Sequence, residues 1–500
     1  MARRILAFVL AILLIVPMVV ACDKGGDGPE ETIPPASSSG NNSEEQNPEA
    51  TPGETKEDLG IPDDLNFGEK TVEIFHWEEY NPEFNVDEDD LDGDPIADAI
   101  YKKNLYTEEK LNVELNFTAV PGDGGNMKPF CDALANRIKD PTTPVDIVSA
   151  YGRTTGLAAT SGLLQDLTAL ENLDLSKEWW PKYIYDELEL DGRLFFTTGD
   201  ISTNLLLMMY GVYYNRAYID AYGLENPADL VVEDEWTIDK FLEMTVGVYD
   251  DRDAESGPSG GDFYGVVGAY WDLDPMYHAA GYDLVVKDPT GDVIIKWADE
   301  LFTDVVGSYV AKLAQWVRKD DVALETKNVH NNAFNDGRSI FNINAASAGF
   351  TLRDTEINYG VAPMPKLDPK TQKSFVTCLA NPYSLYGICR TSIDPEMAAA
   401  TMQVLGYYAM LYTTPAVFEV TLKGKWSKEE ETLLMWDYMR EGISFDLGRI
   451  YHTQLQAPAD FVSTAIANGT EWSTLVSPSK FARRQGLMDK LNRDIEELIG

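Results

Sequence analysis

The chain reads as an α/β protein on a largely parallel sheet, and three observations carry that reading. Short apolar strands alternate with amphipathic helices, several helices open on Asp-Pro or Thr caps, and no short tandem repeat interrupts the pattern. The first strand is the alternating run Val72-Glu73-Ile74-Phe75, which ends in His76-Trp77-Glu78-Glu79-Tyr80 and so enters a loop. Asp94-Pro95 then supplies a cap and a proline at the first helical position. Ile96, Ile100, Leu105 and Leu111 give that helix its apolar side. Asn112 to Phe117 alternates as a second strand, and Val145 to Val148 is a third, just ahead of Tyr151-Gly152-Arg153.

The same grammar repeats downstream. Met208 to Tyr214, Phe263 to Ala269 and Ser339 to Ile343 read as strands, and Thr237 to Met244 as a helix opening. Ala298 to Val317 is a long amphipathic helix with Leu301, Val305, Tyr309, Leu313 and Trp316 at helical spacing. Asp394-Pro395 caps another helix that runs to about Leu411. Trp179-Trp180, just before Pro181, are expected to pack between helices.

The N-terminus has a different character. Arg3-Arg4 precede sixteen apolar residues, Ile5 to Val20, and then Val19-Val20-Ala21-Cys22. A basic start, a short apolar run and small residues at a cut site make a secretory signal, and a transmembrane span needs about 20 residues. The Cys directly after Ala21 resembles a bacterial lipobox, which implies cleavage after residue 21 and a lipidated Cys22. From Asp23 to Gly68 the chain is rich in Gly, Pro, Ser, Asn and Glu and nearly free of large apolar side chains, so it cannot offset its own ordering entropy. Residues 22–65 are therefore expected to be a disordered tether with an r.m.s. reach of roughly 35–40 Å.

Five hundred residues with 44% hydrophobic content suffice for several domains, each of about 100–200 residues. The formal net charge is -43, from 40 basic and 83 acidic residues; loss of Arg3 and Arg4 with the signal leaves 38 against 83, or -45. Such a chain is repelled by nucleic acid and by anionic lipid. Nucleic-acid binding is set aside, contact with the membrane is expected through the lipid anchor only, and the ligand should be neutral or cationic. Beyond Cys22 only Cys131, Cys378 and Cys389 remain, too few for a disulfide framework. Cys378 and Cys389 flank the turn-like Asn381-Pro382-Tyr383-Ser384 and can either pair across it or stay as two free thiols.

Catalytic signatures are weak. Gly257-Pro258-Ser259-Gly260-Gly261 satisfies G-x-S-x-G, but an acidic loop precedes it where a nucleophile elbow needs a strand. Ser477-Pro478-Ser479-Lys480 lacks the companion β-lactamase motifs and reads as a capped helix start. Glu88, Asp90, Asp92 and Gly93 mimic the opening of an EF-hand loop, yet Ala99 stands where a bidentate acid is required. The four histidines, His76, His278, His330 and His452, form no pair at i, i+4. No phosphate loop is present, so no catalytic residue, metal or cofactor is assigned.

Several segments in order resemble a known family. VEIFHWEEY, TEEKLNVELNF, PVDIVSAYGRTTGLAATSGLLQDLTAL, LLLMMYGVYYNRAYIDAYGLENP, EWTIDKFLEM, AFNDGRSIF and NYGVAPMPK are similar to landmarks of family 1 extracellular solute-binding proteins, the maltose-binding type that serves ABC importers. GDPIADAIYKKN and SFDLGRIYH look closer to a Clostridia-type lipoprotein subset. The resemblance implies a periplasmic-binding-protein type II fold, two α/β lobes with hinge strands between them. Lobe 1 would take 66–203 plus 362–411, and lobe 2 would take 204–361 plus 412–500. It also implies a monomeric, non-enzymatic receptor on the outer face of the cell membrane. That receptor would take a sugar, an oligosaccharide in the first instance, to permease subunits; a peptide-binding protein and a surface glycoside hydrolase are the alternatives.

Sugars present apolar C–H faces and rings of hydroxyls, so a site for them wants aromatic platforms and planar polar groups. The loops after the strands supply both. Trp77 and Glu78 follow the first strand, Tyr151 and Arg153 the third. By the resemblance, Trp271 and Asp272 fall where the second lobe places its stacking aromatic. Asn342 and Asn344 accompany the GRSIF strand, and Tyr383 lies in a loop of the returning segment. Trp426, between Lys423 and Lys428, is a lesser candidate.

Overall fold

The computed structural model describes residues 58–500 apart from 89, 90, 92, 254, 256, 284, 292, 297–299, 325–332, 423–428, 459 and 500. The signal, Cys22, the tether up to residue 57, Asp90 and Asp92 of the acidic loop, and Trp426 lie outside the described residues. No described helix is long and apolar enough to cross a membrane.

Two sheets organise the chain. The first has the order β11-β3-β1-β2, from β1 (Lys70–Trp77), β2 (Val113–Val120), β3 (Ile147–Tyr151) and β11 (Ser384–Ile388). β1 runs parallel to both β2 and β3, with Ile74 opposite Phe117 and Ile147, and β11 closes the edge antiparallel to β3. The second sheet, in the order β10-β4-β9-β5-β8, takes β4 (Tyr210–Asn215), β5 (Tyr264–Gly268), β8 (Val322–Leu324), β9 (Ser339–Ala345) and β10 (Tyr359–Pro363). β5 is parallel to β8 and β9, while β4 is antiparallel to β9 and β10. β6 (Val285–Lys287) and β7 (Val293–Ile295) form a separate hairpin.

The caps behave as their chemistry requires. Asp94 accepts from the Ile96 and Ala97 amides and opens the helix Pro95–Leu111, which ends where Asn112 turns left-handed at φ 52. Thr237 caps Ile238–Met244 and Asp394 caps Pro395–Tyr408. The long apolar stretch forms Glu300–Trp316, and Ser477 precedes the helix Pro478–Ile499. Trp179 and Trp180 are buried against the Pro395–Tyr408 helix; Trp179 meets Tyr407 edge-on, and Trp180 Nε1 donates to Gln403 Oε1 at 3.1 Å. β3, β4, β5, β10 and β11 are buried along their whole length, as expected for strands covered by helices, whereas the edge strand β2 alternates with exposed Glu114 and Asn116.

The chain passes between the sheets three times, and the passing segments pair with one another. Met209 bridges Leu379 antiparallel, with Tyr210 N donating to Cys378 O at 3.1 Å and Ala380 N to Met208 O at 2.7 Å. Thr377 bridges Ile443 in parallel. The return lies later than residue 362. Ala362 is inside β10 of the second sheet, Lys366 still bridges Thr237, and Gln372 still donates to Ala279 O. The helix Thr414–Leu422 packs both on Pro95–Leu111 and on Gly349–Leu352, which follows β9. Strand pairing, not the family-like segment order, decides these boundaries. Cys378 and Cys389 are separate, buried free thiols, so the possible disulfide is not formed. Cys378 lies within the crossing, whereas Cys389 follows β11 and meets the Thr391 hydroxyl at 3.4 Å.

Candidate functional site

A cavity of about 260 Å³ opens where the loops after β5 and β9 meet the crossing segments. Its lining is Tyr210, Ala269, Trp271, Asp272, Asp274, Asn344, Ala345, Ala380, Asn381 and Arg449. A parallel strand delivers its C-terminal loop to the sheet edge, the usual place for ligands in open α/β sheets. A larger cavity of about 980 Å³ is lined by Trp179, Asp200, Asp234, Lys366, Tyr438 and Arg440, among others. None of these strand-end loops reaches it, and two of its charged groups are already engaged, Arg440 with Asp200 and Lys366 with Asp234. The smaller cavity is therefore the candidate site.

Trp271 sits on the turn Tyr270–Asp272 directly after β5 and is 54% exposed, the most exposed tryptophan described. The exposed indole thus lies beside a cavity with polar walls. Asp272, next in sequence, turns inward. Its Oδ1 accepts from the Tyr210 hydroxyl at 3.0 Å and its Oδ2 from the Ala269 amide at 2.5 Å. Burial pushes this carboxyl up to about 7, against the pull of those two donors. Asp274 begins the next turn. Its Oδ2 pairs with Arg449 Nη1 at 3.0 Å, and its Oδ1 takes no hydrogen bond among the described residues. It therefore keeps an acceptor for an incoming hydroxyl.

Arg449 ties the site together. Its helix, Leu447–Ile450, opens on an Asp446 cap and packs on Gly152–Thr160, where Ile450 comes so close to Gly156 that a Cβ there would lie 2.9 Å from Ile450 Cγ2. Arg449 Nη2 donates to Leu379 O at 2.9 Å. With the Asn381 amide turned so that both its ends are satisfied, its oxygen accepts from Arg449 Nη2 at 2.9 Å and from Arg153 Nη2 at 3.1 Å. One guanidinium thus joins the second sheet's Asp274 to the crossing segment and, through Asn381, to Arg153 beside the first sheet.

The structure brings the expected residues together unevenly. Trp271, Asp272 and Asn344 line the cavity, and Arg153 reaches it through Asn381. Trp77 does not. It is fully buried, stacked on Tyr80 at 4.7 Å and on Tyr151 at 6.1 Å, and donates Nε1 to Ser384 Oγ. The turn at Gly122 lies against it so closely that a Cβ there would fall 2.7 Å from Trp77 Cβ. Tyr151 and Tyr383 are buried as well; Tyr383 packs beside Phe445 and over Gly152. Asn342 is buried two residues before Asn344 on the same face of β9, away from the cavity lining. Glu78 is exposed at the end of β1 and lines neither cavity. The signature serine also fails its motif, since Ser259 lies in a loop closed by Asp253 and Asp262.

Sequence reasoning missed Tyr210, Asp274, Asn381 and Arg449. A signal existed for the last, because SFDLGRIYH stood out from the family pattern; nothing in the sequence tied it to residue 274.

Residues 90–395 match the bacterial extracellular solute-binding protein family, and the chain belongs to that family. Among solved structures it is similar to a cyclo/maltodextrin-binding protein complexed with maltotetraose, at 15% identity, TM-score 0.54, and coverage of 87% of this chain and 98% of that one. That likeness shows the same two-lobe fold. A Listeria monocytogenes ABC substrate-binding protein in complex with cycloalternan (12% identity, TM-score 0.47, coverage 86% and 99%) also matches. So does a Thermus thermophilus maltotriose-binding protein (13% identity, TM-score 0.45, coverage 86% and 100%). No curated protein matches the sequence.

Proposed function

We propose that this protein is the receptor of an ABC importer, held outside the cytoplasmic membrane by a lipid on Cys22, and that it captures a neutral carbohydrate for the permease. The observation that carries the reading is the exposed Trp271 indole beside Asp272, Asp274, Asn344, Asn381 and Arg449. An apolar ring face next to carboxylate, amide and guanidinium groups is the chemistry that a sugar's C–H face and hydroxyls select. The net charge of -43 disfavours an anionic guest. Supporting an oligosaccharide, a structure of the same fold holds maltotetraose.

Two lobes would close over the guest, one around the first sheet and one around the second, hinged at the three paired crossings. Lobe 1 would span 66–203 and about 381–422, and lobe 2 most of the remainder. Arg449 would then act as the latch, since it already bonds across the crossing. Binding without turnover is the expected behaviour, as a monomer.

A thermal-shift screen of the purified chain against neutral oligosaccharides, peptides and chromogenic glycosides tests this. Stabilisation by an oligosaccharide, with the sugar recovered intact, supports the reading. Stabilisation by peptides alone, or release of chromophore, defeats it.

A further inference from the structure

One histidine stands among oxygen ligands that the pocket does not use. His278, in the helix Leu273–Ala279, has a side chain only 9% exposed, and its Nδ1 faces Asp283 Oδ1 at 3.5 Å and Asp446 Oδ2 at 3.8 Å. One ligand atom from each of the three residues lies within 4.8 Å of the others. Separations of 3.5–3.8 Å are too long for good hydrogen bonds. They are close to the spacing of two ligands on one small cation, about 3.3 Å for tetrahedral bonds of about 2.0 Å.

Two independent observations point the same way. The Tyr277 hydroxyl is buried without a hydrogen-bond partner among the described residues, and the charges that act on it most are Asp446 and Asp283. The local charge is also unbalanced. Glu187 faces the same two carboxylates, its oxygens taken by Ser444 Oγ at 2.9 Å and the Phe445 amide at 2.8 Å. Arg449, the nearby cation, is engaged by Asp274. Among the described residues His278 and Arg449 are the basic groups that act on Asp446, against the four carboxyls of Asp274, Asp283, Asp446 and Glu187.

We propose that His278, Asp283 and Asp446 bind a divalent transition cation of the zinc class, with the Tyr277 hydroxyl bonding a water that completes the coordination. One nitrogen and two carboxylate oxygens suit such an ion better than calcium, which prefers six to eight oxygens. Asp283, 44% exposed, gives the ion its path from solvent. The other oxygen of Asp446 caps the helix of Arg449 by accepting from Gly448 N at 2.5 Å. A cation held by Asp446 would therefore steady the arginine that closes the neighbouring pocket.

The test is calorimetric titration of ZnCl₂, and separately CaCl₂, into the EDTA-stripped, tag-free chain with no sugar present. One saturable zinc site per chain, at least tenfold tighter than calcium, is expected. His278→Gln and the half-exposed Asp283→Asn should each weaken zinc at least tenfold, with circular dichroism showing that both metal-free variants remain folded. No saturable heat, or several weak sites indifferent to both variants, overturns the proposal. Because no sugar enters the measurement, the outcome is independent of the carbohydrate reading.

Discussion

The aromatic residues at the ends of β1 and β5 occupy equivalent places in their sheets, and the structure treats them in opposite ways. Trp77 is sealed under Tyr80, Tyr151 and the Gly122 turn, whereas Trp271 stands 54% exposed on its own turn above two inward carboxylates. The first arrangement is core; the second leaves an indole face open to solvent. A strand end fixes where a side chain starts; the next loop fixes whether solvent or ligand can reach it.

The largest effect should separate the two tryptophans by what they break. Trp77→Ala removes a fully buried indole and should cost about 3–5 kcal/mol of stability in chemical denaturation. Trp271→Ala should leave stability within about 0.5 kcal/mol. If both variants lose stability equally, the contrast between the two walls is wrong. Arg449→Met should cost a comparable 3–5 kcal/mol, because it strands the Asp274 charge at low exposure. Restoration by a second change, Asp274→Leu, would sharpen the case that the pair, not the packing, is at stake.

A smaller effect lies in pH. Asp272 and Glu187, raised by burial to about 7, hold their protons in the folded chain after the unfolded chain has shed them. The folded state then binds more protons, so stability falls as pH rises to about 8. His76 and His452, each lowered by burial to about 4, act in the opposite sense, but only up to the unfolded value of about 6.5. Between pH 6.5 and about 7.5, below the range where Lys103, lowered by burial to about 8, acts in the opposite sense, the carboxylates dominate and the melting temperature should drop. Asp272→Asn should flatten that slope; an unchanged slope would remove Asp272 from the account. The smallest effect belongs to Glu78→Gln, which should alter neither stability nor sugar affinity measurably.

Much of the fold could be read from local chemistry. Asp94, Thr237 and Asp394 announced their helices, and alternation marked β1 and β2, because caps and side-chain period are set within a few residues. The return of the chain was not legible in that way. Ala362 reads equally well in either sheet, and only its pairing with Val212 assigns it to the second. The site was half legible for the same reason. Asn344 follows from a strand end and Trp271 and Asp272 from the family resemblance, but Asp274 meets Arg449 across 175 positions. The burial of Trp77 depends on Gly122, a contact that exists only once the loop has folded over the strand. His278 looked isolated because its partners lie far apart along the chain and close together in space.

The most direct test of the central claim is calorimetry of the oligosaccharide found by screening, on the wild-type chain and on Trp271→Ala. The account predicts at least about thirtyfold weaker binding in the variant, about 2 kcal/mol, as expected when a central aromatic anchor is truncated. Equal affinity in the two proteins would contradict it, and would move the sugar away from the β5 wall.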